Sequence, residues 1–191
     1  MVEFEADDAL AAGAVMASAD SRVNQVLICT PDKDLAQCVG GKVFQWDRRK
    51  NLLLDSEEVK KKYGVSPSSI PDYLALVGDS ADGFPGLAGW GQKSSATLLD
   101  RYGSIELIPD ESQQWDVTVR SSGSLAATLA EHRNEAMLFK RLATVRLDAP
   151  VAKSIEVLEW RQPEPNFEEF CISNRMEALV SRTRNLLIDR A

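Results

Sequence analysis

"GDSADGFPGLAGWGQKSS", residues 78–95, holds five glycines and one proline in eighteen positions. Two segments with helical apolar spacing flank it, "SSIPDYLALV" at 68–77 and "QKSSATLLDRY" at 92–102. Glycines leave the backbone accessible, and N–H groups at the start of a helix bind phosphate oxygens. We therefore predict a hairpin of two helices whose loop binds a phosphate backbone without reading bases.

Two better-known loops do not fit this stretch. A P-loop places glycine directly before lysine, whereas Gln92 separates Gly91 from Lys93 here. A calcium-binding EF-hand needs alternating oxygen ligands and a distal glutamate, and "DSADG" at 79–83 lacks both. The helical hairpin is therefore the interpretation that the spacing favours.

The residues before the hairpin predict a small α/β unit. Small apolar residues at helical spacing place a helix that begins near residue 5 with acidic residues. "QVLIC" at 25–29 predicts a strand buried on both faces, as in a parallel sheet, and "TPDKDLAQC" at 30–38 turns into a short helix. "KVFQW" and "NLLLD", on either side of "DRRK", predict a β-hairpin.

The remaining residues predict helices separated by one polar loop. Periodic apolar residues place further helices at 55–63, 124–145, 166–172 and 175–188. Residues 109–124 are polar and carry glycine and serine, which indicates a loop. The second half of the chain is therefore expected to be helical.

Acidic residues from two separate segments are expected at one edge of the sheet. Glu5, Asp7 and Asp8 open the first helix, and Asp32 and Asp34 follow the strand. In a right-handed β–α–β unit these positions share the carboxyl edge, where open α/β sheets bind ligands. Each acid alone fits a helix-capping or dipole role. Together they favour Mg²⁺ or Mn²⁺, which prefer oxygen ligands.

Composition excludes some protein classes and leaves others open. The 191 residues, 44% hydrophobic and 27% charged, suit a globular domain, either alone or with a helical appendage. No apolar run is long enough to span a membrane and the first residues lack a signal-peptide pattern, so we expect a cytoplasmic protein. Cys29, Cys38 and Cys171 lack metal-binding spacing and are predicted to be buried, reduced thiols. His132, the one histidine, lies mid-helix, where a surface or packing role is expected.

The charge distribution keeps a nucleic-acid partner open. A formal net charge of −7 taken alone argues against phosphate binding. Residues 1–20, however, carry five acidic residues and no lysine or arginine. Divalent cations bound there would reverse the local field that a phosphate meets.

Four segments carry a resemblance to a known family. They are "FEADDALA" at 4–11, "LICTPDKDLAQCV" at 27–39, "DYLALVGDSADGFPGLAGWGQKSSATLL" at 72–99 and "KRLATVRLDAPV" at 140–151. In this order they resemble the 5′-to-3′ exonuclease (5′-nuclease) domain found at the N-terminus of bacterial DNA polymerase I and as free-standing flap endonuclease-like proteins. The resemblance spans nearly the whole chain.

The resemblance implies a fold and a set of functional residues. The fold is α/β, with a truncated PIN-like, Rossmann-like parallel sheet at 1–64 and a helix-three-turn-helix clamp with C-terminal helices at 65–191. The implied catalytic metal ligands are seven carboxylates. Glu5, Asp7 and Asp8 would hold the first ion, Asp32 and Asp34 would complete the acidic edge, and Asp79 and Asp82 would hold the second ion. The implied DNA-binding residues are Gly86, Gly89, Gly91, Lys93 and Ser94, with K⁺ at the clamp loop. Gly83 and Ser95 stand where the family more often has asparagine and threonine.

The implied activity is hydrolysis of phosphodiester bonds in DNA by two Mg²⁺ or Mn²⁺ ions. The implied partners are 5′-flap, nicked or gapped DNA and a DNA polymerase, and the family's N-terminal half is expected either to be truncated here or to be a separate chain. The family's first strands, with their aspartates, and its arch precede the acidic helix and are absent here. We therefore expect weak metal binding and little or no cleavage by this chain alone, with duplex binding partly retained. The exposed sheet edge predicts poor solubility or association.

A second function class stays open beside the nuclease. It is a non-catalytic module that retained the clamp and binds duplex DNA without cleaving it. A small-molecule or protein-interaction role is a third, which rests on the acidic net charge. Replacement of Asp79 and Asp82 with alanine is expected to abolish cleavage in the first class and to leave duplex affinity intact or raised in the second.

Overall fold

The computed structural model describes residues 3–188 and divides into two compact units, Met1–Lys153 and Ser154–Ala191. In chain order the first unit contains α1 (Ala6–Ala19), β1 (Val26–Ile28), β2 (Val43–Asp47), β3 (Leu52–Leu54), α2 (Ser56–Tyr63), α3 (Ile70–Val77), α4 (Gln92–Tyr102) and α5 (Ser122–Ala143). The second unit contains α6 (Phe167–Ser173) and α7 (Glu177–Ile188). The predicted α/β organisation is confirmed, as are the predicted helices and the β-hairpin.

The sheet is mixed and has three strands. β1 pairs in parallel with β2, and β2 pairs antiparallel with β3. The prediction that "QVLIC" is buried on both faces is wrong, because Leu27 is 40% exposed while Ile28 is buried. Within the described residues β1 pairs on one side alone and packs on one face, against α1 and the turn that follows β1.

Small residues let α1 lie close to the sheet. Ala11 and Ala14 of α1 pack against Ile28, Leu35 and Val43 in one buried cluster. Because alanine side chains are small, the axis of α1 lies near the strands, and its first turn lies close to the edge of the sheet. The acids of that turn are thereby held beside the end of β1.

The larger core lies among α3, α4 and α5. Its most completely buried side chains include Leu74, Leu76, Leu98, Leu99 and Leu129, each at most 1% exposed. Burial of one such side chain stabilises the fold by about 2 kcal/mol. This core fixes the two ends of the glycine-rich loop, which runs between α3 and α4.

The loop turns back tightly onto the end of α3. Leu87 N–H donates to Leu76 O at 2.9 Å, and Asp79 and Phe84 exchange backbone hydrogen bonds of 3.0 and 3.2 Å. Gly86 has φ +72, and a Cβ atom there would lie 2.4 Å from Gly78 N. Gly86 therefore allows two backbone segments to approach each other.

Gly86→Ala is expected to lower the free energy of unfolding by about 3 kcal/mol, through backbone strain and overpacking together. Gly83→Ala is the matched control, because Gly83 also has a positive φ, +81, but a Cβ atom there meets nothing within 4 Å. The control should lose about 1 kcal/mol. Urea unfolding followed by circular dichroism measures both, and equal losses would contradict the close-approach argument.

The cysteines do not all occupy the predicted environment. Cys171 is buried, but Cys38 is half-buried and Cys29 is exposed, so the prediction of three buried thiols is wrong for Cys29. Cys29 follows β1 at the uncovered face of the sheet, which explains its exposure. All three are free thiols, and burial raises the pKa of Cys38 to about 11.

None of the helices within residues 3–188 combines the length and the apolar character that crossing a membrane requires.

His132 lies at a kink in α5 (φ −110, ψ 20), and its half-exposed ring contacts Glu135. Its position is that of a surface residue, as the sequence predicts.

Candidate metal centre and nucleic-acid interface

The first turn of α1 supplies three acids with different surroundings. Glu5 is the N-cap residue, and its N–H donates to Asp8 Oδ2 at 3.0 Å. Asp8 Oδ1 accepts a hydrogen bond from Arg146 N–H at 2.7 Å. Both carboxylate oxygens of Asp8 are thus held by backbone donors, so Asp8 has a structural role in this conformation.

Asp7 faces the acids that follow β1. Burial raises its pKa, and the negative charges of Asp32, Glu5 and Asp82 raise it further. The sheet geometry predicts that the acids of α1 and of the turn after β1 come into electrostatic contact, and Asp82 of the glycine-rich loop joins them.

A buried glutamine shapes the turn after β1. Gln45 of β2 is 1% exposed, and its Nε2 donates to Thr30 O at 3.2 Å and to Asp32 O. Thr30 Oγ1 accepts from Asp32 N–H at 3.2 Å, and Asp32 Oδ1 accepts from Asp34 N–H at 3.3 Å. These bonds orient Asp32 and Asp34 toward the same space.

Asp34 is the most deeply buried acid of this turn. It is 9% exposed, and its Oδ1 atom has no hydrogen-bond partner. Burial raises its pKa to about 7, with further contributions from the charges of Asp82 and Asp32. A buried carboxylate oxygen without a donor is costly, and a bound cation would remove that cost.

The glycine-rich loop contributes two aspartates in unlike states. Asp79 is 2% exposed, its Oδ1 accepts from Ala81 N–H at 3.0 Å, and its Oδ2 accepts from Lys33 Nζ at 2.5 Å. Asp82 is exposed, and partial desolvation of its carboxylate together with the charges of Asp79 and Asp32 raises its pKa, while the charge of Lys33 opposes this. Asp79 is therefore already paired, whereas Asp82 faces the other acids.

Asp32, Asp34 and Asp82 form the tightest acidic group, hereafter the carboxylate cluster. Each offers one oxygen, and these oxygens lie within 4.8 Å of one another. Oxygen donors at this spacing fit a hard divalent cation such as Mg²⁺ or Mn²⁺. The unpartnered oxygen of Asp34 adds a buried acceptor that a bound cation would satisfy.

A groove lies at the start of α4. Four of the five predicted clamp residues line its volume of about 630 Å³, namely Gly89, Gly91, Lys93 and Ser94. Gly86 does not line it and instead packs against the end of α3. Gly91 N–H donates to Ser94 Oγ at 3.1 Å, so that N–H group is engaged within the protein.

The opposite wall of this groove comes from the residues that precede α5. Thr118, Arg120 and Ser121 line it, and Ser121 adopts a left-handed backbone conformation (φ 59). Neither Lys93 nor Arg120 forms an ion pair with any residue in the described range 3–188, and both are exposed. The groove therefore presents two free cations and the starts of two helices, which suits a phosphate backbone.

Three residues at these sites were not singled out from the sequence. Gln45 and Lys33 act through contacts with residues distant in the chain, which spacing does not reveal. Arg120 had one weak signal, because it lies in a polar loop directly before the longest predicted helix.

The chain has an α/β sheet with carboxylates at its edge, followed by a helical hairpin that borders a cationic groove. These features place it in the class of PIN-like 5′-nuclease folds. Two family models match the chain, "5′-3′ exonuclease, N-terminal resolvase-like domain" over residues 1–64 and "5′-3′ exonuclease, C-terminal SAM fold" over residues 65–166. The chain belongs to the 5′-3′ exonuclease family.

Relatives and a solved structure agree with this placement. The chain is 34% identical over 168 residues to DNA polymerase I of Pseudomonas aeruginosa, covering 84% of this chain and 18% of the polymerase. It is 34% identical over 158 residues to a 5′-3′ exonuclease of Buchnera aphidicola, covering 81% of this chain and 52% of the relative. The chain thus spans about half the length of the exonuclease, and less of the polymerase.

A structure of the bacteriophage T5 flap endonuclease in a complex with DNA and metal ions shares the fold. Its TM-score is 0.59 at 18% identity, over 73% of this chain and 49% of the T5 protein. At this identity the similarity concerns the fold alone.

Proposed function

We propose that the chain is a divalent-metal-dependent 5′-to-3′ exonuclease and 5′-flap endonuclease that hydrolyses phosphodiester bonds in DNA. The observation that carries this proposal is the carboxylate cluster, in which three oxygens from two segments lie within 4.8 Å and one buried oxygen lacks a donor. Family membership supports the reaction class.

The proposed cofactors are two Mg²⁺ or Mn²⁺ ions. Bound divalent ions supply an activated water and neutralise charge at the scissile phosphate. The carboxylate cluster would hold one ion, with Glu5 and Asp7 on the same edge of the sheet. Asp8 would join the site through the remaining lone pairs of its oxygens, whereas at Asp79 an ion would meet the ammonium group of Lys33. Gln45 keeps the turn of Asp32 and Asp34 in place.

The proposed substrate is DNA with a 5′ flap, a nick or a gap. Lys93, Arg120 and Ser94 would bind duplex phosphates in the groove, and carbonyls of the clamp loop would hold K⁺. In this proposal residues 1–64 form the metal-binding core, and residues 65–191 form the clamp and the C-terminal helices. The matched DNA polymerase I supports a polymerase as partner.

A second candidate is a duplex-binding module without catalysis. It is favoured by one observation, namely that the oxygens of Asp8 and Asp79 are engaged by protein donors, which leaves fewer ligands free for two ions. The groove with Lys93 and Arg120 would remain functional in such a module.

Cleavage of a 5′-labelled flap duplex in Mg²⁺ or Mn²⁺ tests the first proposal, with duplex binding followed in parallel. We expect metal-dependent release of short 5′ products, abolished by EDTA and by joint replacement of Asp79 and Asp82 with alanine, with duplex affinity retained. Asp100→Asn, which alters an exposed acid paired with Lys60, should leave cleavage unchanged. Binding without cleavage by the wild-type chain would favour the second candidate, and cleavage in EDTA would contradict the metal assignment.

A further inference from the structure

A protein cation lies among the candidate metal ligands. Lys33 stands between Asp32 and Asp34 in the chain, and its Nζ donates to Asp79 Oδ2 at 2.5 Å. The Lys33 side chain is 45% exposed, whereas that of Asp79 is 2% exposed. The ammonium group thus reaches a buried carboxylate from a solvent-accessible position.

This ion pair makes the two parts of the site unequal. Asp79 has both oxygens engaged, one by Lys33 and the other by Ala81 N–H at 3.0 Å. Within the described residues no lysine or arginine hydrogen-bonds to the carboxylate cluster, and Asp34 Oδ1 is buried and unpartnered, although the charge of Lys33 also acts on Asp82. A cation therefore enters the cluster without displacing a protein group, but it competes with an ammonium group at Asp79.

We propose that Lys33 is an internal counter-ion that competes with divalent metal for Asp79. The carboxylate cluster binds its ion first, and Asp79 binds an ion only after Lys33 has moved away. The flexible lysine stem and its partial exposure allow this movement without a change in the backbone. This inference rests on the metal site of the proposed function.

The test measures Mn²⁺ binding to the DNA-free protein by calorimetry and by the electron paramagnetic resonance signal of free Mn²⁺. Wild type should show a stronger and a weaker class of site. Lys33→Met should strengthen the weaker class about tenfold or more, because the competing charge is gone, a difference of roughly 1.4 kcal/mol. Lys50→Met is the control, since it removes an equal charge from an exposed lysine 3.9 Å from Asp47, and it should leave both classes unchanged.

Thermal unfolding provides a second measurement, in which Lys33→Met should lower Tm without metal and increase the stabilisation by Mn²⁺. In EDTA, Lys33→Met should lower Tm by about 2–4 °C, because Asp79 loses its partner. The rise in Tm on addition of Mn²⁺ should be larger in Lys33→Met than in wild type. A purely structural ion pair predicts the loss in EDTA without the larger rise.

Amine labelling of the wild-type protein tests the movement without any substitution. Saturating Mg²⁺ should increase the labelling rate of Lys33, read by peptide mass spectrometry, and leave that of Lys50 unchanged. An unchanged or lower rate at Lys33, or an unchanged weaker Mn²⁺ class in Lys33→Met, would overturn the competition while leaving the metal site intact. Absence of Mn²⁺ binding to wild type would overturn both this inference and the proposed function.

Discussion

Asp34→Asn is expected to weaken Mn²⁺ binding by at least about 100-fold and to abolish metal-dependent cleavage, while it makes the metal-free protein more stable. Asp34 contributes the buried, unpartnered oxygen of the carboxylate cluster. An amide of the same shape removes the charge that attracts the ion and also removes the repulsion from Asp82 and Asp32. Function and stability therefore change in opposite directions.

The stability gain of Asp34→Asn depends on pH in a fixed direction. Burial raises the pKa of Asp34 from 3.8 to about 7 in the folded protein, so ionisation disfavours the fold. Below the unfolded value both states are protonated and the variant gains nothing. The gain grows as pH rises from about 4 to about 7, and it reaches about 2–4 kcal/mol above the folded value.

Urea unfolding across this pH range, with and without Mg²⁺, checks the prediction. Mg²⁺ should stabilise wild type and leave Asp34→Asn unaffected. Asp100→Asn is the control, because Asp100 is an exposed acid paired with Lys60, and this variant should show neither effect. An Asp34→Asn protein that binds Mn²⁺ as tightly as wild type would remove Asp34 from the metal site.

The sequence predicts the edge where the acids gather because that edge follows from local patterns. Acids at the start of α1 and at the end of β1 must meet if the helix packs on the sheet, and Asp7, Asp32 and Asp34 do so. The composition of the glycine-rich loop likewise predicts a phosphate-binding surface at the start of α4. These inferences need neighbours in sequence and the handedness of β–α–β units.

The roles of the individual acids could not be predicted from the sequence, because they depend on partners that are distant in the chain. Asp8 is held by the backbone of Arg146, which is 138 residues away, and Asp79 is held by Lys33, which is 46 residues away. The exposure of Leu27 depends on which element covers its face of the sheet, and the residues within β1 do not encode this. Tertiary contacts therefore decide which carboxylates remain free for an ion.

Joint replacement of Lys93 and Arg120 with alanine should produce the largest loss of duplex affinity. Both side chains line the groove and neither has an acidic partner within the described part of the chain, so both charges are available to phosphates. Charged hydrogen bonds of this kind contribute about 1.5–3 kcal/mol each. Each single variant should therefore bind a nicked duplex about tenfold or more weakly.

The salt dependence of binding separates phosphate contacts from a structural effect. Each lost contact should reduce the slope of log K against log salt by about 0.9, and by equal amounts for unrelated sequences. Fluorescence anisotropy at several salt concentrations measures this slope. Arg141→Ala is the control, because Arg141 is an exposed cation near the other end of α5, away from the groove.

A slope that stays constant in the double variant, or an equal loss in Arg141→Ala, would contradict the groove as the phosphate site. The predicted pattern would instead explain how a chain with a net charge of −7 binds DNA. In that case the divalent cations would neutralise the carboxylate cluster at the sheet edge, while Lys93 and Arg120 would face the duplex from two helix starts. Affinity then depends on the local field of the groove, and the net charge of the chain does not predict it.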